Sequence, residues 1–205
     1  MNRRAALLAL PLLPLALGGC SSLLSRPYIA RQDWAFDIPM SPPKPARRGG
    51  KVLLVRSVAA APELADRGLK TLSPDGTMQT DFYERWAVAP ADGVAAALSQ
   101  YLAQSGLFAA VLAPGSLAQA DLALEPELLR LWAEPKAHRA VAQISIVLIK
   151  TGTTPRVLLQ ASETARTPLA KPAQGSPTAL AEVTAERAAL AEVFGKIAAA
   201  LRPFA

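Results

Sequence analysis

The chain has 205 residues, with 22 Lys and Arg against 16 Asp and Glu, a formal charge of +6, one histidine and one cysteine. One His and one Cys cannot supply the three or four ligands of a zinc site, and a lone Cys cannot close a disulfide within the chain. No Lys/Arg cluster interleaved with aromatic residues marks a nucleic-acid surface, and no Gly-rich phosphate loop is present.

Arg3 and Arg4 precede thirteen uncharged residues, Ala5 to Leu17. A spanning helix needs about 20 apolar residues, so this run has the length of a signal-peptide core instead. Leu17-Gly18-Gly19-Cys20 follows. Small residues ahead of a cysteine let a peptidase reach the backbone, and Leu three places before the Cys with Gly at the two between matches the bacterial lipobox. Residues 1–19 therefore read as a lipoprotein signal peptide, with cleavage before Cys20 and lipid on its sulfur. An odd thiol in an exported protein should be occupied, and lipidation occupies it. At about 0.8 kcal/mol per buried CH2, two acyl chains already give stable attachment to a membrane. Ser21 and Ser22 follow the cysteine. The absence of an Asp there favours the periplasmic side of the outer membrane over the inner membrane. Cleavage removes two arginines, leaving a mild excess of 20 basic over 16 acidic residues.

Residues 20–50 read as a lipidated N-terminus and tether. Pro39 to Gly50 holds four prolines and no apolar period, a composition that stays extended and semi-rigid. Fully extended, thirty residues at about 3.1 Å each reach about 90 Å. Tyr28 to Ile38 contains three aromatics and could dock as an edge strand, leaving about seven free residues.

Residues 51–205 read as one domain. Lys51 to Val58 (KVLLVRSV) is a short apolar run expected to be a buried strand. Leu69 to Leu72 and Thr77 to Trp86 flank Ser73-Pro74-Asp75-Gly76, where Pro pre-sets the turn and Gly accepts positive φ, so a hairpin is predicted. Pro90 opens a helix whose apolar face is Val94, Ala97, Leu98, Tyr101 and Leu102, with Gly106 as its stop. Leu107 to Leu112 and Asp121 to Trp132 are strands. Pro126 interrupts the ladder of the second and implies an edge or a bulge. Arg139 to Lys150 alternates cleanly, with Ala142, Ile144, Ile146 and Leu148 on one face, and Arg156 to Arg166 continues the pattern past a turn at Gly152 and Pro155. After a Pro/Gly/Ser-rich loop, a last helix begins near Ser176-Pro177. Its stripe is Leu180, Val183, Leu190, Phe194, Ile197 and Leu201, with Arg187 the one polar intruder, and Pro203 ends it. The order predicts an α+β fold: a mostly antiparallel sheet with two main helices packed on one face, preceded by the lipidated Pro-rich tether.

Catalytic chemistry finds little support. His138 stands alone between two strands, where a hydrolase needs a base and a nucleophile held together. Glu125 and Glu127 share one strand face, an arrangement that can do paired acid–base work, although solvated strand charges are far commoner. Asp81 and Glu84 near Trp86 could hold a sugar, although no second wall to a cleft is evident. No enzyme activity, cofactor or metal is expected.

The stretch Lys51 to Leu112 resembles the auxiliary lipoproteins of ABC-type transport systems, the family of paraquat-inducible protein C. The resemblance rests on KVLLVRSV, on RGLKTLSPDGTMQTDFYERWAVAP with Phe82, Tyr83, Trp86 and Ala87, on Pro90 opening the helix, and on SGLF leading into the next strand. It implies an accessory subunit, neither ATPase nor permease, of a system that moves lipids between the membranes through an MCE-domain protein. It implies an MCE-domain protein and ABC transporter components as partners, with self-association possible. Phe82, Tyr83 and Trp86 are the candidate contact residues, against the reading that they pack beneath the first helix. The alternative function is a lipoprotein that assists assembly or insertion of outer-membrane components such as lipopolysaccharide or a barrel.

Overall fold

The computed structural model describes residues 28–171, 175 and 177–205. The signal segment, Cys20 and residues 21–27, where the lipidation and free-tether expectations fall, lie outside the described residues. The described residues form nine strands and two α-helices: β1 (Gln32–Trp34), β2 (Val52–Val55), β3 (Ala59–Ala60), β4 (Gly68–Leu72), β5 (Met78–Trp86), α1 (Pro90–Gln104), β6 (Ala110–Leu112), β7 (Leu122–Glu134), β8 (Arg139–Lys150), β9 (Arg156–Pro168) and α2 (Ala179–Leu201).

β7 organises the sheet. Along one side it pairs antiparallel with β8 over its whole length, and β8 pairs likewise with β9. Along the other side three short strands follow one another, all parallel to β7: β2 at Leu122–Leu124, β3 at Glu127–Leu128 and β4 at Ala133. β6 then flanks β2, and β5 and β1 flank β4. The long ladders are antiparallel, as the alternating pattern implies, while the short ones are parallel, apart from the β4–β5 hairpin.

Pro126 sits inside this arrangement rather than on an outer edge. The carbonyls of Leu124 and Leu128 accept from Arg56 and Ala61 N–H on the β2–β3 side. Pro126, two residues from each, turns its nitrogen the same way. There the neighbouring chain, between Val55 and Ala59, has left the ladder, so the missing N–H deprives no partner.

Both helices cover one face. Ala142, Ile144, Ile146 and Leu148 of β8 are fully buried, with α2 packed on that strand, as their alternation requires. α1 starts with Pro90, packs Val94, Ala97, Leu98 and Leu102 into the core, and ends before Gly106, whose φ is +68°. In α2 the buried stripe includes Val183, Leu190, Phe194, Ile197 and Leu201, but two expectations change. Leu180 is exposed, and the polar residues buried in the stripe are Glu182 and Glu186. Arg187 turns aside and donates to the carbonyl of Ala35 at 2.5 Å.

The compact unit begins at Arg31, not at 51. β1 docks as a parallel edge strand on β5, and Ile38 is buried in the core. The proline-rich stretch drawn as tether lies along α1: Lys44 N–H donates to the carbonyl of Gln104 at 2.8 Å and Arg47 N–H to that of Phe108 at 3.3 Å. It passes so close to the helix end that a Cβ on Gly106 would lie 2.6 Å from the Pro45 oxygen. Among the described residues no helix is long and apolar enough to cross a membrane.

Candidate functional site

The most irregular part of the domain is the middle of β5. Between Lys70 and Gly68, β4 advances two positions; opposite them, β5 advances five, from Thr80 to Arg85. The surplus makes Asp81-Phe82-Tyr83-Glu84 arch away from the ladder. Asp81 holds the arch from within, since its Oδ1 accepts from Tyr83 N–H at 2.7 Å and Glu84 N–H at 2.9 Å. Gly68 makes room for it: a Cβ there would meet the Asp81 carbonyl oxygen at 2.3 Å. The consequence is exposure. Phe82 is 63% and Tyr83 40% exposed, their rings edge to face at 5.2 Å. The guanidinium of Arg31 lies 4.0 Å from the Phe82 ring centroid.

Trp86 has the opposite fate. It is 2% exposed and stacks on Phe36 at 4.1 Å. Phe36 in turn lies against α1 at Gly93, where a Cβ would fall 2.1 Å from the ring. Of the three candidate contact residues, the structure thus brings Phe82 and Tyr83 together on the surface and places Trp86 in the core beneath the first helix.

The β1–β5 edge is tied by polar contacts. Trp34 Nε1 donates to Glu84 at 2.7 Å. Asp33 accepts from Arg85 at 2.7 Å and Arg67 at 2.6 Å, and the hydrogen bond from Arg85 foremost holds its carboxyl below the usual range. Lys70 is buried and donates to Asp66 and Thr80. The acids nominated for sugar binding are therefore engaged, Asp81 by backbone N–H groups and Glu84 by Trp34. Glu125 pairs with Arg56 at 2.8 Å, and Glu127 is exposed. His138 is exposed in the β7–β8 turn with φ 49°, a left-handed geometry.

Glu182 and Glu186 lie one turn apart on α2. Glu186 is completely buried and neither carboxyl oxygen has a hydrogen-bond partner. Burial, reinforced by Glu182, holds its carboxyl protonated well above the ordinary range. Burial, with Asp81 and Glu84 adding repulsion, pushes Glu182 up to about 7. Among the described residues no group of three or more His, Cys, Asp or Glu is placed to hold a metal ion.

Sequence reasoning misses Arg31, Phe36 and the two glutamates. Arg31 precedes any periodic pattern. Phe36 and Gly93 are fifty-seven positions apart, and only the closed fold shows that one needs the other. Glu186 was readable in principle, being three residues after Val183 and four before Leu190, but Arg187 satisfies the same stripe with the spacings reversed.

The geometry describes a domain with an exposed aromatic arch at one sheet edge, where Asp81 and Glu84 are bonded to neighbouring groups. A family model for the ABC-type transport auxiliary lipoprotein component matches residues 36–198, and the chain belongs to that family. No curated protein matches the chain significantly. Among solved structures, the fold is similar to that of protein XCC0632 from Xanthomonas campestris, with TM-score 0.70 and 18% identity over 84% of this chain and 95% of that one. It is also similar to the crystal structure of an uncharacterized protein, with TM-score 0.64 and 14% identity over 84% of this chain and 99% of that one.

Proposed function

We propose that this protein is a periplasmic lipoprotein anchored to the outer membrane through Cys20, and that it serves as the accessory binding subunit of an ABC transport system with an MCE-domain component that moves lipid across the envelope. The observation that carries the reading is the family match over residues 36–198 behind a lipobox at Leu17–Cys20. The role proposed is binding rather than turnover, and the engagement of Asp81, Glu84 and Glu125 by neighbouring groups supports it. A module held at a membrane needs little affinity of its own, because tethering raises its effective concentration toward membrane-bound partners, to mM for a short flexible link. Self-association belongs to the same proposal, since a ring of copies can match the symmetry of a ring-shaped partner.

Two measurements test it. In cells, Cys20→Ala leaves the precursor uncut by the lipoprotein peptidase and without acyl mass; an unmodified Cys20 in the mature wild-type protein would remove the anchor. Chemical cross-linking in envelopes, followed by mass spectrometry, recovers an MCE-domain protein. Recovery of an outer-membrane barrel alone would transfer the protein to envelope assembly.

A further inference from the structure

We propose that the arch bearing Phe82 and Tyr83 is the surface by which the domain rests on the lipid bilayer, with both rings in the headgroup layer at the anchored end of the molecule. This rests on the lipid anchor at Cys20 and adds to it an orientation.

Chain connectivity lets the arch reach the membrane. Arg31, the first residue of the compact unit, stands over the Phe82 ring. It stands eleven positions after Cys20, which limits the reach to about 40 Å even at full extension. The side chains match the destination. Aromatic rings concentrate at the membrane–water boundary, and the Arg31 guanidinium stacked on Phe82 sets a cation beside them. Of the acids nearby, Asp33 is compensated by Arg67 and Arg85, while Asp81 and Glu84 keep their charge and leave the bilayer contact to the two rings and Arg31.

The size of the feature decides between lipid and protein. A stable protein interface buries about 800 Å² on each partner, and two adjacent rings are a small part of that. A bilayer contact already held by acyl chains needs only a few interfacial side chains to set the tilt of the domain.

The test uses the full-length lipidated protein. Acylated Cys20 does not react with maleimides, so Tyr83→Cys supplies the single free thiol and leaves Phe82 in place. Leu117→Cys, at a fully exposed loop residue, is the reference, and Phe82→Cys a second probe should Tyr83→Cys misfold. Each protein, its acyl mass verified, is labelled with an environment-sensitive fluorophore and reconstituted into phosphatidylethanolamine–phosphatidylglycerol vesicles. The proposal expects a blue shift at position 83 and several-fold stronger quenching by nitroxide lipids than at 117. Equal quenching at 83 and 117 in acylated protein overturns the orientation and leaves the anchor standing. Shielding at 83 that appears only when envelope proteins are added assigns the arch to a protein partner and likewise overturns it. Absence of acyl mass removes the anchor, and this proposal with it.

Discussion

The two ends of the sheet are built on different principles. At one, β7, β8 and β9 form two continuous antiparallel ladders, and nearly every apolar side chain on the helix side of β8 is fully buried. At the other, β1, β4 and β5 are held by ion pairs, a buried lysine and an aspartate-capped arch, with two uncovered rings at its crest and two carboxyls buried in the helix beside it. The regular end repeats one device, alternation over a greasy helix face. The irregular end spends packing and hydrogen bonds on keeping Phe82 and Tyr83 out of the core. That contrast teaches where to look for function: the interruption of a pattern that the rest of the sheet keeps is a feature maintained at a cost.

The largest test separates neighbours on one strand. Trp86→Ala destabilises the domain by about 3–5 kcal/mol in chemical denaturation, the cost of truncating a core aromatic. The Phe36 ring loses its stacking partner in that variant. A loss below about 0.5 kcal/mol, the level of a surface site, would place Trp86 with Phe82 and Tyr83.

The buried carboxyls come next. A glutamate whose carboxyl stays neutral to higher pH in the folded state than in the unfolded chain contributes its full stability only at low pH. For Glu182 the loss begins near the ordinary value of 4.5 and is complete only above about 7; Glu186 extends it to higher pH. Thermal stability therefore falls as pH rises through this window. Glu186→Leu, which removes an unpartnered buried polar group, raises stability at pH 8 by about 1–3 kcal/mol and flattens the upper part of the profile. A wild-type profile that rises from pH 5 to 8 would contradict the burial.

A smaller effect is expected for Gly93→Ala. The added methyl meets the Phe36 ring, and overpacking costs about 1–3 kcal/mol, partly offset by the helix preference of Ala over Gly. Fluorescence of Trp86 reports the displaced ring. The smallest is Phe82→Ser with Tyr83→Ser, within about 0.5 kcal/mol of wild type in solution. A larger loss would show that the arch supports the fold rather than presenting a surface.

What the sequence revealed follows the same division. Arg139–Lys150 is bounded to the residue, because its alternation is unbroken and a turn stands at each end. The Ser73–Gly76 turn and the start of α1 at Pro90 are equally direct, each being local chemistry of Pro and Gly. The arch is not, since a uniform period of two assigns Phe82 and Trp86 to one face and cannot foresee that one is covered and the other bare. The composition of the proline-rich segment suits an extended, semi-rigid tether. Prolines also suit a strap across a helix end, where few of their missing N–H groups are needed, and composition alone does not separate these uses. Pro126 implies an edge or a bulge; what it occupies is a local gap between two short strands, visible only once the pairing of β2 and β3 to β7 is known.

The central claim is that this domain is held at a membrane in order to engage an MCE-domain transporter subunit. Vesicle flotation measures that directly, with purified lipidated protein, its soluble domain of residues 31–205, and the MCE-domain protein from the same cell. The account predicts that the MCE-domain protein floats only with vesicles carrying the lipidated protein, and that the soluble domain binds it in solution with modest affinity. Flotation no better than with empty vesicles, together with no binding in solution, would contradict it.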